Sequence, residues 1–327
     1  MDIIKTLAEE LGISEHRAES AVKLLDDGNT VPFIARYRKE VTGGLDDTVL
    51  RELCDRLVYL RNLEDKKAEV KRLIDAQGLL TDEISAAIDA AATVTEVDDI
   101  YRPFRPKRRT RASIAKERGL EPLAQLILEM RPSYDPTIEA AAESFVDAEK
   151  GVESTADAIS GARDIIAEAV SDNADYRKEV RRLTQRFGTI SSKKIGEGDS
   201  VYEQYYDYSE PLKSVPPHRI LAMNRGEKEE MLKIDITVDR DIILNYLFSR
   251  ALTNPSSPAF SHMAYAVCDS YERLIAPSIE REIRASLTDS AGEDAIKLFS
   301  ENLKNLLMSA PLKGKTVLGY DPGYRTG

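Results

Sequence analysis

Between Asp46 and Gly78, apolar residues fall at Leu50, Leu53, Cys54, Leu57, Leu60, Leu63, Val70 and Ile74, spaced mostly by three or four. That spacing keeps one face of a 3.6-residue helix apolar from end to end. Asp46 is placed to cap the start and Gly78 to stop the far end. A helix this long with one apolar stripe must be covered by other helices, so the chain is expected to be mainly α. The absence of Trp and the scarcity of Phe, against abundant Ala, Leu, Glu and Arg, point the same way.

The rest of the pattern supplies those helices. Residues 3–11 read as a short helix stopped by Gly12, and Ser14 is positioned to cap a second, striped by Ala18, Ala21, Val22, Leu24 and Leu25 and ended by Asp27-Gly28-Asn29. The pair resembles a helix-turn-helix, although Glu15, Glu19 and Asp26 accompany Arg17 and Lys23 on the second helix. Thr30-Val31-Pro32-Phe33-Ile34-Ala35-Arg36-Tyr37-Arg38-Lys39-Glu40 reads as a tightly fitted connection into the turn Thr42-Gly43-Gly44. Further helices are expected from Thr81, from Glu121-Pro122, and over 136–147, 155–171 and 174–187. Strands follow at 190–195 and 231–238, with an irregular aromatic stretch at 202–208 and a helix after Pro216. A helix over 240–252 precedes two long closing helices. One is striped by Phe260, Met263, Val267, Tyr271, Leu274 and Ile275, the other by Ile296, Phe299, Leu303, Leu306 and Leu307.

Function points to one stretch. From Arg102 to Arg118 eight cations stand against one acid, Glu117, inside a chain of net charge −11. Pro103 and Pro106 bar a continuous helix, so an extended basic strap with Tyr101 and Phe104 interleaved is expected. The candidate phosphate-binding residues are Arg102, Arg105, Lys107, Arg108, Arg109, Arg111, Lys116 and Arg118. A structural reading stays open beside this one: the cations pair with neighbouring helices while Tyr101 and Phe104 anchor the core. An acidic protein partner is a third.

Catalytic signatures are missing. There is no GxxxxGK[ST] loop, no GxGxxG and no GxSxG elbow. His16, His218 and His262 are far apart and lack ligand spacing, so no metal site and no cofactor are expected. His218 reads as a helix-start residue. The cluster Tyr202, Tyr205, Tyr206 and Tyr208 suits packing better than base stacking, and residues 227–230 read as solvated surface. Cys54 and Cys268 have no CxxC partner and sit on apolar helical faces, which suggests reduced thiols in a cytoplasmic protein. No signal-peptide core or membrane-length apolar run is present in these 327 residues.

Several blocks resemble the bacterial Tex family in order along the chain. They are Asn29 to Glu40; Tyr101-Arg102-Pro103 through Leu120-Glu121-Pro122-Leu123-Ala124; Asp207-Tyr208-Ser209-Glu210-Pro211-Leu212; Pro217-His218-Arg219; and Val317-Leu318-Gly319-Tyr320-Asp321-Pro322-Gly323-Tyr324-Arg325-Thr326-Gly327. Tex proteins are similar in architecture to the eukaryotic Spt-type elongation factor. The resemblance implies a helical amino-terminal region with a helix-turn-helix, then an RNase H-like domain, helix-hairpin-helix motifs and an oligonucleotide-binding barrel. It also implies a nucleic-acid-binding transcription accessory role, with the barrel as main binder.

The expected organisation is a Tex-type helical domain over 1–190, a second mainly helical region over 191–312, and over 313–327 the first strand and turn of an RNase H-like domain. A lone edge strand is no finishing point, so a longer protein is expected, with the barrel outside this chain. Asp321 stands where RNase H-like nucleases place their first metal carboxylate, but two-metal cleavage needs several converging carboxylates. In this chain Asp321 reads as Asp-Pro-Gly turn chemistry. The expected function is non-catalytic, sequence-independent binding of RNA or DNA alongside transcription machinery, without a membrane. The alternatives are a protein-interaction scaffold on transcription or translation machinery, and a nuclease only in the longer protein.

Overall fold

The computed structural model describes residues 2–310 and 313–319, which divide into two compact units. The first comprises Met1–Arg182 with Ile243–Ala276, the second Leu183–Ile242 with Pro277–Gly327.

The first unit is helical. Helix α1 (Ile3–Leu11) starts where the Asp2 carboxylate accepts from Lys5 N and stops at left-handed Gly12, and α2 (Glu15–Asp26) follows. Residues 31–37 form a helix, α3 (Val31–Tyr37), rather than the connection expected from Pro32. Pro32 lies in its first turn, where the missing N–H has no intrahelical partner to lose. Helix α4 (Asp47–Asp75) carries the long stripe, with Asp46 accepting from Val49 N. The stripe serves two cores. Leu50, Leu53, Leu57 and Leu60 pack with Leu7, Ala21 and Ile34 of α1–α3. Leu63, Val70 and Ile74 pack with Ile88, Val97 and Tyr101.

Those last three residues belong to α5 (Asp82–Ala90) and α6 (Val94–Tyr101), each capped by a threonine, Thr81 and Thr93. Helices α7 (Arg111–Glu117), α8 (Glu121–Leu128) and α9 (Ile138–Glu143) lead to α10 (Thr155–Asp172), which α7, α8 and α9 pack around. Gly161 of α10 lets this layer close: a Cβ there would stand 2.4 Å from Leu120 Cδ1. Helix α11 (Ala174–Phe187) then leaves the first unit.

The second unit is built on a three-stranded antiparallel sheet, β1 (Thr189–Lys194), β2 (Asp207–Pro211) and β3 (Leu232–Thr237), with β1 in the middle. Strand β2 starts in the last two residues of the 202–208 stretch read as irregular and runs on to Pro211, where no strand was expected. Its register places Asp207, Ser209 and Pro211 beside Lys193, Ser191 and Thr189. Tyr202 and Tyr205 are buried beneath the sheet's edge and the Tyr206 hydroxyl donates to Ser200 Oγ at 2.9 Å, so this cluster packs internally. Helix α12 (Pro217–Lys228) links β2 to β3, and α13 (Arg240–Ala251) and α14 (Phe260–Asp269) return the chain to the first unit.

The two closing helices expected from sequence are one helical run. Helix α14 passes through a π-helical turn, Ser270–Ile275, into α15 (Ala276–Leu307). The α14 stripe is buried at Met263, Val267, Tyr271 and Ile275. The stripe of Ile296, Phe299, Leu303, Leu306 and Leu307 is exposed. Residues 315–319, the described part of the expected last strand, have no regular structure, and Asp321 lies outside the described residues.

Candidate nucleic-acid interface

The strap is shorter than its prolines suggest. Helix α6 runs to Tyr101, a 3-10 turn takes Arg102–Phe104, and α7 resumes at Arg111, leaving 105–110 as the irregular piece. A capping box between Thr110 and Ser113 sets the start of α7. The two aromatic residues face inward. Tyr101 is buried and Phe104 half-buried against the core of α4–α6. The Phe104 carbonyl accepts from Gln77 Nε2 at 3.1 Å.

The cations sort into two groups. Arg102 Nε pairs with Asp172 at 3.2 Å, Lys107 Nζ reaches Asp172 and also Glu168 at 3.3 Å, and Lys116 pairs with Glu121 at 3.3 Å. Arg105 lies 3.3 Å from Asp98, with its guanidinium over the Tyr101 ring. Burial, followed by the nearby Arg177 charge, pushes the Arg102 pKa down, with Asp172 opposing the shift. Arg118 folds over Gly151. Arg108 and Arg111 have no ion pair among the described residues, and Arg109 reaches Glu117 only at 4.0 Å. All three are exposed. The loop is therefore stitched to α10 by Lys107 and presents Arg108 and Arg109 to solvent, with Arg111 exposed in the first turn of α7.

A buried clamp beneath the strap escaped sequence reasoning. Asp99 of α6 accepts from Arg177 Nε and Arg181 Nη2 of α11, each at 2.6 Å. Asp99 and Arg177 are both almost fully buried. The local signal was an acid pair, Asp98-Asp99, entering a basic run, but nothing in the spacing pointed to partners some eighty positions away. Beside the clamp a cleft of about 480 Å³ opens between an apolar wall, including Ile84, Ala87 and Phe104, and the polar Glu96, Asp175 and Lys178. The hydrogen bond from Lys178 holds the Glu96 carboxyl below its ordinary range.

Chemistry is not concentrated elsewhere. Among the described residues no three His, Cys, Asp or Glu side chains converge as metal ligands, and no helix is long and apolar enough to cross a membrane. His16 and His218 are exposed, whereas His262 is buried with Nδ1 2.8 Å from Arg163 Nη2. Cys54 and Cys268 are half-buried and free of disulfides.

These features describe a helical scaffold that displays a short cationic loop. The comparisons narrow the class. A family described as Tex-like protein N-terminal domain matches residues 1–75, and one described as Tex central region-like matches residues 131–299. The chain belongs to the Tex family. It is 47% identical over 325 residues to a Bacillus subtilis protein named uncharacterized protein YdcI, covering 98% of this chain and 45% of that protein. It is 39% identical over 336 residues to the transcriptional accessory protein Tex of Neisseria gonorrhoeae, covering 100% and 44%. To the human S1 RNA-binding domain-containing protein 1 it is 29% identical over 345 residues, covering 100% and 34%. The chain thus spans less than half the length of these relatives.

Proposed function

We propose that this chain is a non-catalytic, sequence-independent nucleic-acid-binding part of a transcription accessory protein, with the loop around Arg108 as its contact. The observation that carries the reading is the division of labour in the strap. Arg102 and Lys107 are held by Asp172, while Arg108, Arg109 and Arg111 stand exposed. Among the described residues no carboxylate lies closer to any of these three than Glu117 to Arg109 at 4.0 Å, with Asp164 acting on Arg111 at longer range. Exposed, weakly paired guanidinium groups on and beside a pinned loop suit phosphate oxygens, and neutralising them releases counterions. The name of the Neisseria relative supports the transcription setting, and the name of the human relative supports RNA as the polyanion.

The test is fluorescence-anisotropy binding of the 327-residue chain to single-stranded RNA and to duplex DNA over a salt series. The triple variant Arg108→Gln, Arg109→Gln, Arg111→Gln is expected to lose most of the affinity and flatten the salt dependence. Equal binding by the variant, with an unchanged melting temperature, overturns the assignment.

A second reading, a scaffold for protein partners, is favoured by the exposed stripe of Ile296, Phe299, Leu303, Leu306 and Leu307 on α15. A contiguous apolar face of this kind is a feature of interaction surfaces. On this reading the chain binds no nucleic acid, and the same titrations separate the two.

A further inference from the structure

The residues Asn29 to Gly44 hold a second cationic feature, which the strap reading leaves unused. Helix α3 turns Ile34 and Ala35 into the core and keeps its other side open. On that side Phe33 and Tyr37, one turn apart, have ring centroids 5.3 Å from each other and ring planes tilted by 46°. Tyr37 is 65% exposed. The Arg38 guanidinium lies 5.2 Å over the Phe33 ring and donates to the Tyr37 carbonyl at 3.2 Å. Arg36, Arg38 and Lys39 are exposed and have no ion pair among the described residues, and Glu40 is the one acid in the segment. In the strap, by contrast, four of eight cations are held within 3.3 Å of a carboxylate.

The platform is built rather than loose. Thr42 is fully buried, and its hydroxyl donates to the Arg38 and Lys39 carbonyls. Arg17 of α2 donates to the Thr42 and Gly43 carbonyls at 3.2 and 2.9 Å. Gly43 and Gly44 both take positive φ, 64° and 81°, which lets Gly44 N return to the Lys39 carbonyl at 2.7 Å. The backbone carrying Arg38 and Lys39 is therefore fixed from beneath, while the side chains face water.

We propose that this α3 platform is a binding site for single-stranded nucleic acid, in which a base stacks on Tyr37, held from behind by Phe33, and phosphates lie along Arg36, Arg38 and Lys39. An exposed tyrosine ring backed by a half-buried phenylalanine, with cations that have no ion pair among the described residues on either side, matches a polymer that offers bare base faces and a phosphate at every step. A duplex hides the base faces. An acidic peptide would satisfy the cations but leave the rings without a stacking partner.

The inference does not depend on the strap, and the experiment keeps the two apart. A fluorescein-labelled oligouridine is titrated with the 327-residue chain, its strap triple variant, Tyr37→Ala, Tyr37→Phe, and the triple variant Arg36→Gln, Arg38→Gln, Lys39→Gln. Photo-crosslinking to 5-bromouridine in the same oligonucleotide then maps the contact. Tyr37→Ala is expected to weaken binding about tenfold, the loss of one base stack, and Tyr37→Phe to leave it unchanged. The charge variant should lower the slope of log K against log salt by about two, and duplex DNA of equal length should compete poorly. Crosslinks are expected within residues 33–37. Unchanged affinity in Tyr37→Ala overturns the proposal, as do crosslinks confined to 102–118. Loss in the strap variant alone leaves the strap reading and removes this one, and loss in the α3 variants alone does the reverse. A polyglutamate peptide that displaces the oligonucleotide, with Tyr37→Ala neutral, reassigns the platform to acidic peptides. Exposure of Tyr37 makes unfolding an unsuitable explanation for its variant, and a melting curve checks that point.

Discussion

The carboxylate of Glu280 accepts the backbone N–H of Ile236 at 2.9 Å, so a side chain from α15 occupies the place of a neighbouring strand along β3. The sheet's hydrogen-bond alternation explains why. Ile195 N donates to Met231 O across the β1–β3 ladder, so odd-numbered β3 residues bond inward and Ile234 and Ile236 point their amides away from β1. Glu227 of α12 faces the Ile234 amide at 3.4 Å, and Arg284 lies 3.5 Å from the Ile234 carbonyl. An open edge is thereby closed without a fourth strand. Replacing Glu280 with Ala should leave a buried donor unpaired and cost about 1–3 kcal/mol, whereas Glu280→Gln keeps an acceptor and should cost less. Hydrogen exchange by mass spectrometry reads this locally. Amides of 232–237 should exchange faster in Glu280→Ala, and protection equal to wild type contradicts the role.

The Asp99 clamp makes a larger claim. Its carboxylate meets two guanidinium groups in a nearly dry site. Removing one member of such a cluster strands the remaining charges, a loss of about 3–5 kcal/mol. Asp99→Ala should therefore shift the urea midpoint strongly downward. Asp98→Ala, which removes only a 3.3 Å contact with exposed Arg105 and a 3.9 Å contact with half-buried Lys66, should shift it little. Equal effects at the two positions would refute the clamp.

The contrast between these neighbouring acids shows what the sequence could and could not carry. The α4 stripe was legible because the contacts it predicts follow from helical period alone, and Asp46, Thr81 and Gly12 marked ends through local chemistry. Helix α3 was obscured by Pro32, whose effect depends on its place in the first turn. Strand β2 was obscured because Asp207-Tyr208-Ser209-Glu210-Pro211 has no apolar alternation and none of these residues is fully buried. Within the candidate site the run of cations was plain, but their partners were not. Asp172 and Glu168 lie far along the chain, and ion pairing over such separations leaves no periodic trace. The apolar stripe of α15 was correctly periodic, yet period alone does not say whether a face is covered.

His262 gives a pH prediction. Burial, and then the Arg163 charge beside it, push its pKa below the ordinary imidazole value, against a smaller pull from Glu139. The unfolded chain therefore takes up a proton near pH 6.5 while the folded one resists, so stability is fully present above that pH and falls as pH drops towards the folded pKa. Thermal melts from pH 7.5 to 5.5 should show a decline that His262→Phe reduces. The many carboxylates held low by cations, such as Glu10 by Arg56 and Asp26 by Arg61, lose their contribution only in a more acid range. A decline that persists unchanged in His262→Phe removes this residue as its source.

Gly188 sits where α11 hands over to β1, and its role is close approach. A Cβ there would lie 2.3 Å from the Thr184 carbonyl oxygen and 2.8 Å from Leu212 Cδ1. The first contact is with backbone, which no rotamer change relieves. The same backbone is tied at both ends: Gly188 N donates to Thr184 O at 2.7 Å, and the Gly188 carbonyl accepts from Leu212 N at 3.0 Å. Ala ordinarily stabilises a chain relative to Gly by about 0.4–1 kcal/mol through the unfolded state. Overpacking costs about 1–3 kcal/mol, and with an immovable carbonyl as the obstacle the larger figure applies. Gly188→Ala should accordingly destabilise on balance, lower the urea midpoint and loosen the β1–β2 pairing that starts at Thr189 and Pro211. Shortening the second obstacle by Leu212→Ala should not rescue it, because the carbonyl clash remains. A double variant restored to the stability of Leu212→Ala alone would place the obstruction in the side chain instead.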